Sequence, residues 1–195
     1  EAEGGNGHWY TVNLDSLTWS ESTKVAEAMG AHLATLKTPE ENQFMFDLAR
    51  SRTSDLAITF GLIQAVDSDE PDGGWSWVDG SPLEWANWAA GEPNDTDGIE
   101  DEGNMYLDPD LAGGWNDGRT TSAEASAVEW SADCNGDGNV DYGQIQDGTF
   151  ADTDGNGVPD VCEVCLGDIT GNGVVDAADL GILLAVWNTD GKSNP

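Results

Sequence analysis

The stretch GEPNDTDGIEDEGNMYLDPDLAGGWND, residues 91–117, decides the fold assignment of this chain. It begins with Glu92 and Asn94 on either side of a proline, and it ends with Asn116 and Asp117. Carboxylate and amide oxygens are hard ligands, and five or six of them that converge make a calcium site. The pattern therefore indicates a calcium site assembled from the two ends of the stretch.

Two helices are predicted upstream of this stretch. A capping box at residues 18–21 begins a helix predicted over 19–29, which Gly30 ends. A second capping box at 38–41, with a proline at the first helical position, begins a helix predicted to run to about Arg50.

Short β-type segments follow from Leu56 to Trp130, separated by Gly, Pro, Asp and Asn. The predicted strands lie at 58–60, 75–78, 105–107 and 127–130. Helices followed by strands indicate an α+β fold, here two helices and a loop-rich antiparallel sheet. Seven of the nine tryptophans lie between Trp19 and Trp130. They are expected in the core, with a sugar-stacking platform as the alternative.

The charge of the chain restricts its partners. It has 38 acidic and 6 basic residues, a formal net charge of -32, which argues against nucleic acid as a partner. No Lys or Arg lies between Arg119 and Lys192. Divalent cations would neutralise these carboxylates, and the alternative is the solvated acidic surface of a salt-adapted protein.

Over roughly residues 8–131 the sequence resembles the C-type lectin-like family. The motifs that carry the resemblance occur in family order: the first helix, the runs 31–36, 60–62 and 74–80, the pair Asn87-Trp88, and the Glu-Pro-Asn and Trp-Asn-Asp motifs. The animal members usually have two disulfides in this domain. This chain has no cysteine before Cys134, so it resembles a bacterial type that lacks them.

The resemblance implies a calcium ion that also accepts two vicinal sugar hydroxyls. The ligands carried over are Glu92, Asn94, Glu102, Asn116 and Asp117, and Glu100 is nearly as well placed as Glu102. The resemblance also implies a cis peptide before Pro93, and the Glu-Pro-Asn form implies mannose-type rather than galactose-type sugars. A second calcium site beside the first would draw on Asp67, Asp69, Glu70, Asp72, Asp95 and Asp101, with an acidic loop as the alternative.

The last third of the chain repeats the spacing of an EF-hand-type loop, in which positions 1, 3, 5, 7, 9 and 12 supply oxygens. Three copies begin at Asp133, Asp152 and Asp168, at offsets of 19 and 16 residues. We predict several calcium ions here, bound by Asp133, Asn135, Asp137, Asn139, Asp141 and Gln144; by Asp152, Asp154, Asn156, Val158, Asp160 and Glu163; and by Asp168, Thr170, Asn172, Val174, Asp176 and Asp179.

These repeats define a second region, so the predicted boundaries are 1–131 for the lectin-like domain and 132–195 for the calcium-binding repeats. Residues 133–163 resemble thrombospondin type 3 repeats, and 166–188 resemble one half of a dockerin. The predicted helix 180–187 has little polar face, so it must be buried. It would pack on the lectin-like domain, join a second copy in an oligomer or filament, or bind a cohesin-like partner.

The cysteines and the chain start favour an extracellular protein. An odd count of three near acidic loops fits one disulfide, with Cys134 to Cys162 as a candidate pairing and Cys165 free or paired elsewhere. The start at Glu1, without an apolar segment, is typical of a mature chain whose signal peptide has been removed. The longest apolar run, 180–187, is too short to span a bilayer.

Three function classes follow. The first is a secreted, calcium-dependent carbohydrate-binding protein of a cell surface or extracellular matrix. The second is a calcium-stabilised structural protein that assembles into a polymer or filament without free sugar binding. An enzyme is not expected, because metal spacing explains the acidic residues and neither His8 nor His32 has a nucleophile beside it in the sequence pattern.

Overall fold

The computed structural model describes residues 6–64, 73–163 and 177–186. Seven strands and four α-helices lie within these ranges: β1 Trp9–Leu17, α1 Trp19–Glu27, β2 His32–Leu33, α2 Pro39–Arg52, β3 Ala57–Gln64, β4 Trp75–Trp77, β5 Glu100–Tyr106, β6 Trp115–Arg119, β7 Glu124–Trp130, α3 Asp141–Gln146 and α4 Ala177–Val186. No helix in the described part of the chain is long and apolar enough to cross a membrane.

Both predicted helices of the first domain are confirmed, and both begin with complete capping boxes. The Thr18 hydroxyl oxygen accepts the N–H of Glu21, and the Glu21 carboxylate accepts the N–H of Thr18 at 3.0 Å. Thr38 and Glu41 repeat the arrangement at the start of α2. Each box satisfies backbone donors that the first helical turn leaves free.

The sheet has the strand order β1-β7-β3-β5-β6, with β2 beside β7 and β4 beside β3. The expectation of a purely antiparallel sheet is wrong, because β3 and β7 pair in parallel through Ile58 and Thr59. A long excursion of the chain separates these two strands, so no hairpin forces them to be antiparallel. Strands β1, β2 and β6 were not predicted.

The core is centred on Trp115, which is fully buried. Three other tryptophan rings, Trp77, Trp85 and Trp88, meet it edge-on with ring centroids 5.3–5.8 Å away. The Trp115 indole N–H donates to Asn42 Oδ1 of α2 at 2.6 Å. These tryptophans therefore fix the long loop between β4 and β5 in place, and most of the cluster is core, as expected.

A buried carboxylate holds the N-terminal strand to the sheet. Glu129 is 1% exposed and accepts the N–H of Thr35 at 2.7 Å, and its other oxygen lies 2.5 Å from His8 Nδ1. His8 therefore has a structural contact, as does His32, whose Nε2 lies 2.7 Å from the Ser131 hydroxyl.

The C-terminal loops pack directly on the first domain. Tyr142 of α3 stacks on Trp130 of β7 with centroids 4.2 Å apart. Gly157 lies so close to the turn after α1 that a Cβ there would be 2.1 Å from the Met29 carbonyl oxygen. A disulfide joins Cys134 to Cys162 and thereby links the first loop to the second.

The helix α4 differs from expectation. Its side chains at Leu180, Ile182 and Leu184 are exposed, so the described part of the chain does not bury them against the first domain. Trp187, the last residue of the predicted helix 180–187, lies outside the described residues, as does Cys165.

Candidate metal and carbohydrate site

The centre of the candidate site is Asp117 on β6. The peptide between Glu92 and Pro93 is cis, and the chain after it turns toward the end of β6. Asp117 Oδ2 accepts the backbone N–H groups of Asn94 at 2.8 Å and Asp95 at 2.6 Å. Since the other oxygen, Oδ1, is buried and has no hydrogen-bond partner in the described residues, one acceptor is available at the site.

The two side chains of the Glu-Pro-Asn motif lie against this carboxylate. Asn94 Nδ2 donates to the Glu92 carboxylate, and the Thr96 hydroxyl donates to Asn94 Oδ1. Partial burial and the nearby charge of Asp117 raise the pKa of Glu92. A raised carboxyl pKa beside a second carboxylate indicates a negative potential that a cation would relieve.

Asn116 is held by its neighbours at the same end of the sheet. The Tyr106 hydroxyl donates to Asn116 Oδ1 at 2.8 Å, and Asn116 Nδ2 donates to the Asp117 carbonyl oxygen at 2.5 Å. Burial and the charges of Glu92 and Asp117 raise the pKa of Tyr106. Sequence reasoning did not identify Tyr106 as part of the site, because an aromatic residue in a predicted strand is also typical of the hydrophobic core.

Of the two candidates for the middle ligand, Glu100 lies beside the other candidate residues and Glu102 does not. Glu100 Oε2 accepts the N–H of Thr96, whose hydroxyl donates to Asn94 Oδ1, so Glu100 lies beside the Glu-Pro-Asn motif. Glu102 is only 3% exposed, and burial followed by the charges of Asp101 and Glu124 raises its pKa to about 8. Neither Asp101 nor Glu124 is a candidate ligand of the first calcium site.

The physical reason is a shift in strand register. Glu100 pairs with Arg119, whereas Glu102, two residues later, pairs with Gly118. Alternation would put residues two apart on one face of a regular strand, and a bulge breaks that rule. The weaker alternative from the sequence, Glu100, is therefore the residue that the fold brings to the site.

The segment that contributes Glu100 is itself tied down. Glu100 Oε2 accepts the N–H of Thr96 at 2.9 Å, and Oε1 lies 3.6 Å from Arg119 Nε. Arg119 also donates to Asp97 at 2.7 Å. Sequence reasoning missed the role of Arg119, which anchors the loop between the Glu-Pro-Asn motif and β5.

The candidate residues around Asp117 suit a calcium ion by their chemistry. Glu92, Asn94, Glu100, Asn116 and Asp117 offer carboxylate and amide oxygens, the ligand chemistry that calcium prefers. The buried Asp117 Oδ1 without a partner is the structural feature that a cation would satisfy.

Only part of the predicted second site can be placed. Asp95 Oδ1 accepts the N–H of Glu100 at 3.3 Å, so Asp95 lies beside the first site. Asp101 is the residue after Glu100 on β5, and its charge contributes to the raised pKa of Glu102. The other four candidates, Asp67, Asp69, Glu70 and Asp72, lie outside the described residues.

The first two C-terminal repeats fold into closely similar loops. Asp133 accepts backbone N–H groups from residues 136, 137 and 138, and Asp152 accepts them from 155, 156 and 157. Gln144, at position 12 of the first loop, donates to Asp137 at 2.7 Å, and Asn156 of the second loop donates to Glu163 at 2.6 Å.

The aspartate at the ninth position of each loop accepts a backbone N–H group. Asp141 accepts the N–H of Cys134 at 2.9 Å, and Asp160 accepts that of Thr153 at 2.8 Å. In the third repeat, the candidates Asp168, Thr170, Asn172, Val174 and Asp176 lie outside the described residues, as does the side chain of Asp179.

Comparison with known proteins identifies the first domain. The family model for the lectin C-type domain matches residues 15–136. C-type lectin domain family 4 member E from Mus musculus is 34% identical over 110 residues, which cover 55% of this chain and 48% of the relative. Asialoglycoprotein receptor 2 from Mus musculus is 32% identical over 117 residues, 58% of this chain and 35% of the relative. The chain thus spans half or less of the length of these relatives.

Solved structures show the same fold. Human lithostathine at 1.3 Å resolution has a TM-score of 0.58 and 19% identity, with 67% of this chain and 88% of that chain covered. The cow CD23 carbohydrate-recognition domain, solved in the presence of a GlcNAc2Man3 oligosaccharide, has a TM-score of 0.53 and 25% identity, with 66% and 91% covered. With its α+β fold and mixed sheet, this chain belongs to the C-type lectin domain family.

Proposed function

We propose that this chain is an extracellular protein that binds carbohydrate in a calcium-dependent manner through Glu92, Asn94, Glu100, Asn116 and Asp117. One observation carries the proposal. Asp117 is fully buried, its Oδ2 accepts two backbone N–H groups from the Glu-Pro-Asn loop, and its Oδ1 has no partner in the described residues. A buried carboxylate oxygen is costly unless it is paired, and a cation would pair it.

The residues would divide the work of holding a sugar. A bound calcium ion would supply coordination positions for two neighbouring hydroxyls. The amide N–H groups of Asn94 and Asn116 can donate to those hydroxyls, and the carboxylates of Glu92 and Glu100 can accept from them. The Tyr106 and Thr96 hydroxyls orient the two amides.

The Glu-Pro-Asn motif supports mannose-type sugars as the ligand class. In the family resemblance, this order of carboxylate and amide goes with mannose-type recognition, and Gln-Pro-Asp goes with galactose-type recognition. Here Asn94 Nδ2 donates to the Glu92 carboxylate, so the donor and the acceptor of the motif lie side by side.

We also propose that the C-terminal loops bind calcium. Loop 1 (133–144) has two buried oxygens without a partner in the described residues, Asp141 Oδ1 and Gln144 Oε1. The absence of Lys or Arg between Arg119 and Lys192 supports counter-ions other than side chains. Because these loops pack on Trp130, their calcium would stabilise the carbohydrate-binding domain as well.

The exposed apolar side chains of α4 support a partner for the 180–187 segment. Either partner, a second copy of this chain or a cohesin-like domain, would bury Leu180 and Leu184. Light scattering with and without calcium tests the first of these, because self-association would raise the molar mass.

Isothermal titration with methyl α-mannoside and methyl β-galactoside, in calcium and in EDTA, tests the proposed function. We expect binding of the mannoside only, and only with calcium. Binding that survives EDTA, or no binding to either sugar, would overturn the proposal. A preference for the galactoside would overturn the assigned sugar class alone.

A further inference from the structure

A second recess of the molecule lies at the junction between β1 and the first C-terminal loop. It is an open groove of about 610 Å³. Its lining includes Trp9, Asn139, Gln144, Gln146, Asp147 and Thr149. None of the residues of the lectin-type site lines it, and Asn139 and Gln144 belong to the first C-terminal loop.

The aromatic wall of the groove is held in place and remains accessible. Trp9 is 37% exposed, and its ring meets Tyr142 edge-on with centroids 5.8 Å apart. Gly143 makes this position possible, because a Cβ there would lie 2.7 Å from Trp9 Nε1. Tyr142 and Gly143 thus pack against the indole, and part of Trp9 stays exposed where it lines the groove.

The Trp9 indole N–H also differs from those of three other tryptophans. Trp19, Trp115 and Trp130 each donate to a protein oxygen at 2.6–2.9 Å. For Trp9, no protein acceptor occurs within residues 6–64, 73–163 and 177–186. Within this part of the chain the N–H is therefore left without an acceptor, in a residue that lines the groove.

The remaining polar groups suit a neutral ligand with many hydroxyls. Asn139, Gln146 and Thr149 are exposed and offer both donors and acceptors. Asp147 accepts the N–H of Thr149 at 2.9 Å, and this bond helps to hold its carboxylate in place. The groove wall has no Lys, Arg or His, so an anionic ligand would meet uncompensated negative charge.

We propose that this groove is a second carbohydrate subsite, which binds a neutral oligosaccharide by stacking on Trp9 and by hydrogen bonds to Gln146, Asp147 and Thr149. An aromatic face with amide, hydroxyl and carboxylate groups matches the apolar faces and hydroxyl edges of a pyranose. This subsite needs no metal in contact with the sugar. It is independent of the proposed function of the lectin-type site.

The test uses the full chain with the lectin-type site inactivated by Glu92→Gln and Asp117→Asn, in calcium so that the C-terminal loops keep their shape. The probes are maltohexaose, cellohexaose, chitohexaose and mannohexaose, titrated by protein NMR. We expect at least one to bind and to shift the resonances of Trp9 and Gln146.

Two variants assign that binding to the groove. Trp9→Phe keeps an aromatic ring against Tyr142 but removes the N–H and much of the stacking area, and Gln146→Ala removes an exposed amide. Each should weaken binding by about tenfold, the effect of one or two lost polar or stacking contacts. Gln43→Ala, an exposed glutamine of α2, is the matched control and should change nothing.

The proposal is overturned if none of the four probes binds the inactivated chain, or if the one that binds is unaffected by Trp9→Phe and Gln146→Ala. Loss of mannoside binding in the Glu92→Gln, Asp117→Asn chain tests the lectin-type site alone. The two sites can therefore fail separately.

Discussion

The lectin-type site and loop 1 present similar oxygens in two different ways. At the lectin-type site, Glu92 and Asp117 lie 25 positions apart and are brought together because the backbone of residues 87–89 pairs with Trp115 and because Asp117 accepts two N–H groups of the following loop. In loop 1, Asp133 accepts N–H groups from residues three, four and five positions later. One site is built by tertiary structure and the other by the local turn of the chain.

This difference determines how each region should respond to substitutions and to the removal of calcium. A site on paired strands inherits its geometry from a packed core, so single ligands are lost without loss of the fold. A short loop with few buried apolar side chains derives its order from side chain to backbone hydrogen bonds and from any bound ion. The two regions nevertheless share one interface at Trp130 and Tyr142.

The largest expected effect is on Asp117. Asp117→Asn replaces an oxygen that accepts two backbone N–H groups and removes the charge at the centre of the site. We expect calcium-dependent sugar binding to fall by about a hundredfold or more, since even indirect contacts to a metal ligand are worth 10–100-fold. Titration calorimetry measures this loss. Asp110→Asn, at an exposed aspartate in the connection between β5 and β6, should bind as the original chain does.

The pair Glu100→Gln and Glu102→Gln separates the two candidate middle ligands. Glu100→Gln should weaken calcium binding at the lectin-type site by roughly tenfold or more, because a carboxylate ligand becomes an amide. Glu102→Gln should leave it unchanged. The opposite order of effects would restore the sequence-based assignment of Glu102.

Glu102→Gln should also change how stability depends on pH. The folded-state pKa of Glu102 is raised to about 8, above its unfolded value near 4.5. The folded state therefore binds more protons between these values, and stability falls as pH rises from about 4.5 to 8. The variant lacks this fall, so above pH 8 it should gain roughly 2–5 kcal/mol relative to the original chain. Urea unfolding at pH 5 and pH 8.5 measures the difference.

Two glycines of the second loop test the shared interface. Gly157 has φ +83°, and a Cβ there would be 2.1 Å from the Met29 carbonyl oxygen. Gly155 has φ +75° with nothing within 4 Å. Gly157→Ala should cost about 2–4 kcal/mol through backbone strain plus the clash, and Gly155→Ala about 1–2 kcal/mol through strain alone. Equal losses in thermal unfolding would mean that the contact with Met29 adds nothing to stability.

The smallest effect concerns loop 1 itself. Gln144→Glu places a carboxylate at the twelfth position, beside Asp137, and should raise the calcium affinity of this loop by about tenfold. Gln146→Glu adds the same charge on an exposed side chain of α3 and is the matched control. A similar gain in both variants would show that general electrostatics, rather than ligation, determines the affinity.

The sequence predicted the parts of the molecule that depend on local patterns. Both capping boxes placed the helices within two or three residues, and the repeated aspartate spacing matched loops with nearly identical hydrogen bonds. The choice between Glu100 and Glu102 depends on a bulge that only strand pairing creates, so spacing alone could not decide it. The parallel pairing of β3 with β7 is likewise a property of the whole chain path.

Polar strands were the other feature that periodicity could not reveal. Strand β6 reads WNDGR, with two ligand candidates and a glycine in five residues, and resembles a turn in sequence. It is a strand because Trp115 is buried and because β5 supplies its hydrogen bonds. Function and pairing, rather than propensity, determine its composition.

The crystal structure of the chain with calcium and methyl α-mannoside is the most direct test of the lectin-type site. We expect one ion bound by Glu92, Asn94, Glu100, Asn116 and Asp117, with two sugar hydroxyls completing its coordination. An ion that Glu102 ligates in place of Glu100, or a sugar bound away from Asp117, would contradict it.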